Sequence, residues 1–340
     1  MHAECRPVDG RHVRVPKLGL LRSSERLSKL NRPLKDDPKS RIIRATLTQA
    51  RSGRWFVSFT VERSPKRRSP RKPDAVIGID LGLRRLAVLS TGEHVGNPRP
   101  LHGALRRLAR LQRQLDRQRR ALNHDNYDEK GTVRPGPGRW EHSNRMLRTR
   151  ERIARLHARV ANLRREAAHQ LTSSLTRRYG VIGVESLNVA GMLRDRHISR
   201  SLSDAGLGMI LRQLDCKASW SEVTLVSADR FYPSSKTCSR CGEVKAQLSR
   251  SATVFACERC SLEMDRDKNA ALNLARLALE MTQAEGRPTY LALTGRERLN
   301  ARGGQVRPVP MREGRSPAKR EGSPRGESSR LREESDVAAR

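Results

Sequence analysis

The first sixty residues of the chain contain short runs in which apolar and polar side chains nearly alternate. Two such runs lie between residues 41 and 62 and are separated by a Ser-Gly pair, a pattern typical of a β-hairpin. The earlier stretch HVRVPKLG, which begins at His12, has the pattern of a further strand. We therefore predict a small β module over residues 1–63, followed by a basic linker rich in proline and serine at residues 64–74.

Strand-like and helix-like patterns alternate in the rest of the chain. The predicted strands are VIGID (76–80), LAVLS (86–90), VIGVE (181–185) and VTLVSA (223–228). Apolar residues at spacings of three and four predict helices at 101–122, 141–178, 204–219 and 267–281. Alternation of this kind predicts an α/β fold, in which the first two helices form a hairpin over residues 101–178.

Two of the predicted strands end in a carboxylate. VIGIDLG contains Asp80, and its near repeat VIGVESL contains Glu185. A buried charge at a strand end costs desolvation free energy unless a positive charge lies beside it. Strands that end at one edge of a sheet would bring these carboxylates together, and a third from a nearby helix would complete an oxygen ligand set for Mg²⁺. Two Mg²⁺ ions held in this way can activate a water and stabilise the leaving oxygen of a phosphodiester.

Other interpretations exist for the individual acids. Asp80 alone would also suit a turn or a cap. DRDKNAALNL supplies Asp265 and Asp267 at the start of a helix, where one of the two is expected to be the N-cap. A calcium loop is excluded because the required glycine and the bidentate glutamate are both absent from this stretch of sequence. Asp229, at the end of VTLVSA, is predicted to be structural.

The charge of the chain points to a polyanionic partner. Lysine and arginine total 70 against 36 acids, which gives a formal charge of +34 and a pI near 11.4. Nucleic acid is the leading candidate, although a ribosomal-type or merely arginine-rich surface gives the same composition. Arginines crowd the faces of the two hairpin helices, either as a solvated surface or as one that tracks phosphates.

A membrane location is not expected from the sequence. The chain has no apolar run of 18 residues, and its amino terminus lacks the apolar core of a signal peptide. We therefore expect a cytoplasmic protein with no membrane partner.

Four of the six cysteines form one cluster. Cys238 and Cys241 in CSRC are followed, after fifteen residues, by Cys257 and Cys260 in CERC. This is the spacing of a zinc ribbon, in which four thiolates surround a structural Zn²⁺ ion. A pair of redox CxxC motifs is the other interpretation. The two remaining cysteines are predicted to be ordinary thiols.

Four ordered motifs resemble the TnpB (OrfB) family of transposon-encoded transposases, which is related to type V CRISPR effector nucleases. They are GIDLGLRRLAVLSTGE, IGVESLNVAGM, ADRFYPSSKTCSRCG and MDRDKNAALNLAR. The resemblance covers residues 41–308. It implies a Mg²⁺-dependent DNA endonuclease that is directed by a guide RNA from the transposon end and is associated with DNA transposition and recombination.

The resemblance also implies a domain organisation. It identifies the β module as part of a wedge-type β-barrel and residues 75–232 as an RNase H-like RuvC nuclease domain with the helical hairpin inserted. A zinc ribbon at 233–262 precedes the last acidic motif at 263–285. Residues 286–340 are predicted to be a basic, mostly disordered tail from their composition, which has few large apolar residues. The arginine-rich helices would lie along a guide–target heteroduplex.

The site residues follow from the same resemblance. The three catalytic, Mg²⁺-binding acids would be Asp80, Glu185 and Asp267, which leaves Asp265 as the helix cap. The first acid already lies at residue 80, so the resemblance implies a shortened amino terminus. The alternative function is therefore a truncated nucleic-acid-binding copy without productive cleavage. GIDLG also occurs in actin-like ATPases, but the sequence contains neither a second phosphate loop nor a glycine-rich adenosine motif.

Overall fold

The computed structural model describes residues 5–292, except for residues 29, 32, 33, 35, 36, 64–67, 137 and 250. Most of the predicted tail at 286–340 lies outside this range. Within the range, no helix is both long enough and apolar enough to cross a bilayer.

The amino-terminal part forms two small antiparallel sheets. Strands β1 (Arg6–Pro7), β2 (His12–Val15) and β3 (Gly19–Arg22) make the first, and β4 (Arg41–Gln49) and β5 (Trp55–Glu62) make the second. The hairpin predicted between 41 and 62 is therefore confirmed, with its turn at Gly53 (φ 77°). No strand pairing joins the two sheets within the described residues, so the expected barrel arrangement stays a prediction.

A six-stranded sheet forms the centre of the chain. Its strands are β6 (Lys72–Leu81), β7 (Arg85–Leu89), β8 (His94–Gly96), β9 (Tyr179–Glu185), β10 (Thr224–Ala228) and β13 (Tyr290–Leu291). The order is β10-β9-β6-β7-β8, and β13 also pairs with β6. Strands β6, β7 and β8 are antiparallel, whereas β9 and β10 run parallel to β6. The sheet contains all four strands that the sequence predicts between residues 76 and 228.

The sheet extends past two of the predicted boundaries. Strand β6 begins at Lys72, inside the predicted linker at 64–74, because Lys72 pairs with Tyr179 across a β-bulge. The predicted tail at 286–340 contains β13, whose Tyr290 and Leu291 pair with β6. The first residues of β6, Lys72–Asp74, are too polar for an apolar pattern to reveal them, and β13 is too short at two residues.

The helices surround this sheet and agree with most of the predicted ones. They are α1 (Pro100–Leu122), α2 (Asn144–Arg178), α3 (Val189–Met192), α4 (Ser199–Ala205), α5 (Leu207–Ser219) and α6 (Arg266–Ala284). Helices α1 and α2 pack on each other as the predicted hairpin. The stretch predicted as one helix at 204–219 is instead divided between α4 and α5 by Gly206, which has a left-handed φ of 69°.

The repeated sequence VIG lies in register across neighbouring strands. Val76 pairs with Val181, and the pairing continues residue by residue through the glycines Gly78 and Gly183. The intervening isoleucines face a large core formed with α2, α4 and α5, while the valines face α6 and contact its Ala278. The two strands therefore present the same pattern of side chains to each face of the sheet.

The paired glycines allow α6 to approach the sheet at backbone distance. A Cβ atom on Gly78 would lie 1.9 Å from the carbonyl oxygen of Ala271, and one on Gly183 would lie 2.4 Å from that of Leu274. No side chain fits in these gaps. The position of α6 is thus fixed by the absence of side chains at two neighbouring points of the sheet.

Gly78→Ala is expected to destabilise the protein by about 1–3 kcal/mol, because α6 must move away from the sheet. Gly103→Ala is the matched control, since a Cβ atom at Gly103 in α1 meets nothing within 4 Å. That change should be neutral or stabilise the protein by up to about 1 kcal/mol. Urea denaturation measures both. Equal free energies of unfolding for the two variants would contradict the close approach of α6.

Candidate metal centres and nucleic-acid surface

The sheet brings the first two predicted acids to the same edge. Ile79 pairs with Val184 across β6 and β9, so the next residues along these parallel strands are Asp80 and Glu185. Side chains alternate along a strand, and both acids therefore point to the face that α6 covers. Asp267 lies in the first turn of α6. All three side chains are partly buried.

The charges of Glu185 and Asp267 both act on Asp80. Burial, and then the charges of Glu185 and Asp267, raise the pKa of Asp80 to about 8, although Arg266 acts in the opposite direction. A carboxylate in this position is destabilised unless a proton or a cation accompanies it. The structure thus brings the predicted triad together as a site that favours added positive charge.

The neighbouring Asp265 is satisfied by contacts of its own. Its side chain accepts a hydrogen bond of 3.0 Å from the amide of Lys268 and forms an ion pair of 2.8 Å with Arg85. Burial opposes ionisation here, but these contacts prevail and lower the pKa of Asp265. The prediction that Asp265 is the N-cap is confirmed.

Glu185 has a hydrogen-bond partner that the sequence did not suggest. The hydroxyl of Ser234, a side chain that is only 3% exposed, donates to Oε1 of Glu185. Ser234 belongs to the FYPSS segment between β10 and the cysteine cluster. A serine in a predicted loop carries no periodic signal, which explains why its role was not foreseen.

Three polar side chains of α6 hold the segment that follows Ser234. Asn273 donates to the carbonyl oxygens of Ser234 and Thr237 at 2.7 and 2.6 Å. Asn269 donates to the same Thr237 carbonyl at 2.7 Å, and Arg276 donates to the carbonyl of Ser239 at 2.6 Å. Their spacing of four and three residues on one helix face is a signal that sequence reasoning had available but did not use.

The four clustered cysteines form a compact group. Their sulfur atoms all lie within 4.8 Å of one another, and this is the one set of three or more potential ligands in the described part of the chain that does so. Cys238 and Cys260 are 3.5 Å apart, and Cys241 and Cys257 are 3.6 Å apart, between the sulfur atoms. Tetrahedral zinc with bonds of about 2.3 Å places its sulfurs about 3.8 Å apart. The group therefore fits a zinc ion.

The environment of Cys238 favours the thiolate. Burial opposes ionisation of the Cys238 thiol, but its hydrogen bonds outweigh this effect and lower its pKa to about 6. Two of these bonds come from the backbone amides of Cys241 and Arg240. Strands β11 (Val254–Ala256) and β12 (Glu263–Asp265) form an antiparallel pair beside the cysteine cluster. Phe255 of β11 is fully buried and packs against Cys238 and Cys257.

The helical hairpin presents an exposed basic surface. Leu108, Leu111 and Val160 are buried, as the periodicity predicts. The other faces carry exposed arginines, namely Arg106, Arg107, Arg110, Arg113, Arg117 and Arg120 on α1 and Arg145, Arg148, Arg150, Arg152, Arg155, Arg159 and Arg165 on α2. Such a surface suits contact with the phosphates of a nucleic acid.

Two family models match consecutive parts of the chain. The OrfB_IS605 model, described as "Probable transposase", matches residues 57–196, and the Cas12f1-like TNB domain model matches residues 208–274. The first range contains Asp80 and Glu185. The second contains the four clustered cysteines and Asp267.

Curated relatives are similar over much of the chain. A protein of Mycobacterium tuberculosis (strain CDC 1551 / Oshkosh) named "Putative RNA-guided DNA endonuclease" is 36% identical over 79% of this chain and 55% of its own length. InsQ of Escherichia coli K12, named in the same way, is 27% identical over 65% of this chain and 53% of its own length. The CRISPR-associated endodeoxyribonuclease Cas12f1 of Sulfoacidibacillus thermotolerans is 25% identical over 66% and 50%. This chain spans about half the length of these relatives.

The raised pKa of Asp80 predicts a pH-dependent stability. The folded state binds a proton that the unfolded state loses near pH 4, so the stabilisation is complete below pH 4 and is lost as the pH rises through about 8. Asp80→Asn should therefore raise the melting temperature at pH 9 without added divalent ions.

The acid site also predicts an effect of Mg²⁺ on stability. Added Mg²⁺ should raise the melting temperature of the wild type more than that of Asp80→Asn, as thermal unfolding measures. Asp116→Asn, at an exposed position of α1, is the control, and equal Mg²⁺ shifts in wild type and Asp80→Asn would refute the acid site.

The cysteine cluster predicts about one zinc ion per chain. Cys241→Ser should remove most of the zinc and destabilise residues 233–262, since a structural site contributes on the order of 10 kcal/mol to its module. Elemental analysis measures the metal. Cys216→Ser, at an exposed lone cysteine, should retain it. If elemental analysis finds no zinc in the purified wild-type protein, the four-thiolate interpretation is wrong.

Proposed function

Since the chain belongs to the OrfB (TnpB) family, as its motifs predicted, we propose that it is a Mg²⁺-dependent, RNA-guided DNA endonuclease with a RuvC-like centre. The observation that carries the proposal is the convergence of Asp80, Glu185 and Asp267 at one edge of the sheet. An association with DNA transposition and recombination is part of the same proposal.

The topology of the sheet supports an RNase H-like nuclease domain. Three antiparallel strands, β6 to β8, are followed by two strands parallel to β6, and the first acid lies on the central strand. The second acid ends the adjacent parallel strand, and the third begins the helix that crosses both. Two acids from the sheet and one from the helix can therefore contribute to a single carboxylate site.

The residues at this edge fit divalent cations. Three carboxylates offer hard oxygen ligands. Burial, and then the charges of Glu185 and Asp267, raise the pKa of Asp80, and a bound cation would stabilise its charged form. Their oxygen atoms are not all within 4.8 Å of one another, so the site is more open than the cysteine cluster. When bound, two Mg²⁺ ions supply an activated water and stabilise the leaving oxygen of the phosphodiester. Asp80, Glu185 and Asp267 would hold the ions, and the hydroxyl of Ser234 donates a hydrogen bond to Glu185.

The four cysteines would hold zinc in a structural role. A tetrahedral site with four sulfur ligands has no open position for a substrate. The contacts of Asn269, Asn273 and Arg276 attach the beginning of this module to α6, next to the acids.

The basic hairpin would bind the nucleic-acid partners, a guide RNA and its target DNA. Exposed arginines contact phosphates without reading bases, so sequence would be read by pairing between guide and target. Affinity that depends on phosphate contacts falls steeply as the salt concentration rises.

The test is co-expression of the chain with the DNA that flanks its gene, followed by sequencing of any RNA that co-purifies. Matching DNA should then be cut in the presence of Mg²⁺. Asp267→Asn should lower the cleavage rate by more than about 10²-fold with little change in DNA binding, because it removes a metal ligand and not a phosphate contact.

Asp229→Asn is the matched control for this experiment. Asp229 follows β10 at the same edge, and its side chain accepts a hydrogen bond of 2.8 Å from the amide of Phe231. An asparagine can accept the same bond, so cleavage should persist. RNA and DNA binding without any cleavage by the wild type would instead favour a binding protein.

A further inference from the structure

Ser234 occupies an unusual position for a loop serine. It is 3% exposed, and its hydroxyl donates to Oε1 of Glu185, an acid of the proposed metal site. A glutamate at the end of a strand has three rotatable side-chain bonds, and a single donor to one oxygen fixes its orientation while the other oxygen stays available. Hydrogen bonds of this kind to a metal ligand typically change metal affinity by about 10–100-fold.

The backbone of Ser234 is anchored to the helix that carries Asp267. Its carbonyl oxygen accepts a hydrogen bond of 2.7 Å from Asn273, a residue of α6 that is 1% exposed. Its amide donates to the carbonyl of Tyr232 at 2.8 Å. Glu185 on the sheet is therefore connected through Ser234 to the same helix that supplies the third acid.

The same asparagines hold both neighbours of a zinc ligand. Asn273 and Asn269 donate to the carbonyl of Thr237, and the side-chain oxygen of Asn269 accepts from the amide of Ser239 at 2.9 Å. Thr237 and Ser239 flank Cys238, which is fully buried in the cysteine cluster. The position of this sulfur and the position of Ser234 thus depend on one pair of buried amide side chains.

We propose that Ser234 is a positioning residue that couples the zinc ribbon to the carboxylate site. It holds Glu185 in the orientation that binds a divalent cation, and the zinc-bound ribbon holds Ser234. The proposal rests on the proposed function, because it requires that Asp80, Glu185 and Asp267 bind cations. The coupling is reciprocal: cations at the acids stabilise zinc binding to the same extent that zinc stabilises cation binding.

The first measurement is the affinity for Mn²⁺, used as a probe for Mg²⁺, from the electron paramagnetic resonance signal of the free ion. Ser234→Ala should weaken the affinity of the zinc-loaded protein by about 10–100-fold. Ser234→Thr retains the hydroxyl and should recover most of the loss. Ser235→Ala, the same change one position along the loop, should bind as the wild type does, and all four proteins should melt at similar temperatures.

The second measurement is the retention of zinc against a chelator that prefers Zn²⁺ to Mg²⁺. Saturating Mg²⁺ should raise the chelator concentration that removes half of the zinc by about fivefold or more in the wild type. Ser234→Ala should abolish this effect of Mg²⁺. If the effect is the same size in Ser234→Ala as in the wild type, the coupling through Ser234 is wrong.

The outcomes separate this proposal from the proposed function. If Mn²⁺ binding to the wild type is absent, or is unchanged by Asp80→Asn, the carboxylate site itself fails. If Asp80→Asn abolishes binding but Ser234→Ala binds Mn²⁺ as tightly as the wild type, the metal site stands and the positioning role of Ser234 is overturned. A loss in Ser234→Ala that Ser234→Thr recovers supports the proposal.

Discussion

The close approach of α6 to the central sheet is the contact on which the candidate site depends. Gly78 and Gly183 lie side by side on β6 and β9, and the backbone of α6 occupies the space that their side chains would need. This contact determines how far the helix lies from the sheet and where its first turn begins. Asp267 therefore lies close enough to Asp80 for its charge to raise the pKa of Asp80, as Glu185 also does.

The same contact creates an electrostatic cost at Asp80, which Arg266, paired with Asp267 at 3.1 Å, offsets only in part. Three carboxylates share a partly buried edge, and the acid on the central strand gains affinity for a proton as a result. Asp265, only two residues before Asp267, shows the opposite solution, since a helix amide and Arg85 stabilise its charge. The contrast distinguishes Asp265, whose charge is stabilised by its own contacts, from Asp80, whose charged form is destabilised by burial and by neighbouring acids. The segment that leads into the four-cysteine cluster is attached to α6 by buried asparagines and completes the surroundings of this edge.

Much of this arrangement could be predicted from the sequence, because it depends on strong local sequence patterns. The VIG repeat indicated two strands that end in acids, the CxxC spacing indicated the cysteine cluster, and leucine periodicity indicated the hairpin. The division of a helix at Gly206 escaped prediction because an isolated glycine does not break the apolar periodicity. Ser234 escaped prediction because it meets Glu185 and Asn273 only after residues 39 or more positions apart fold together. Such contacts leave no period in the sequence, and neither does a two-residue strand such as β13.

The central claim is that Asp80, Glu185 and Asp267 form one cation site. Its most direct test is an anomalous difference map from crystals of the zinc-loaded protein grown with Mn²⁺, recorded at wavelengths that distinguish manganese from zinc. The account predicts manganese peaks in contact with all three carboxylates, and a separate zinc peak within the cysteine cluster. Manganese bound elsewhere, with the three carboxylates free of metal and turned away from one another, would contradict it.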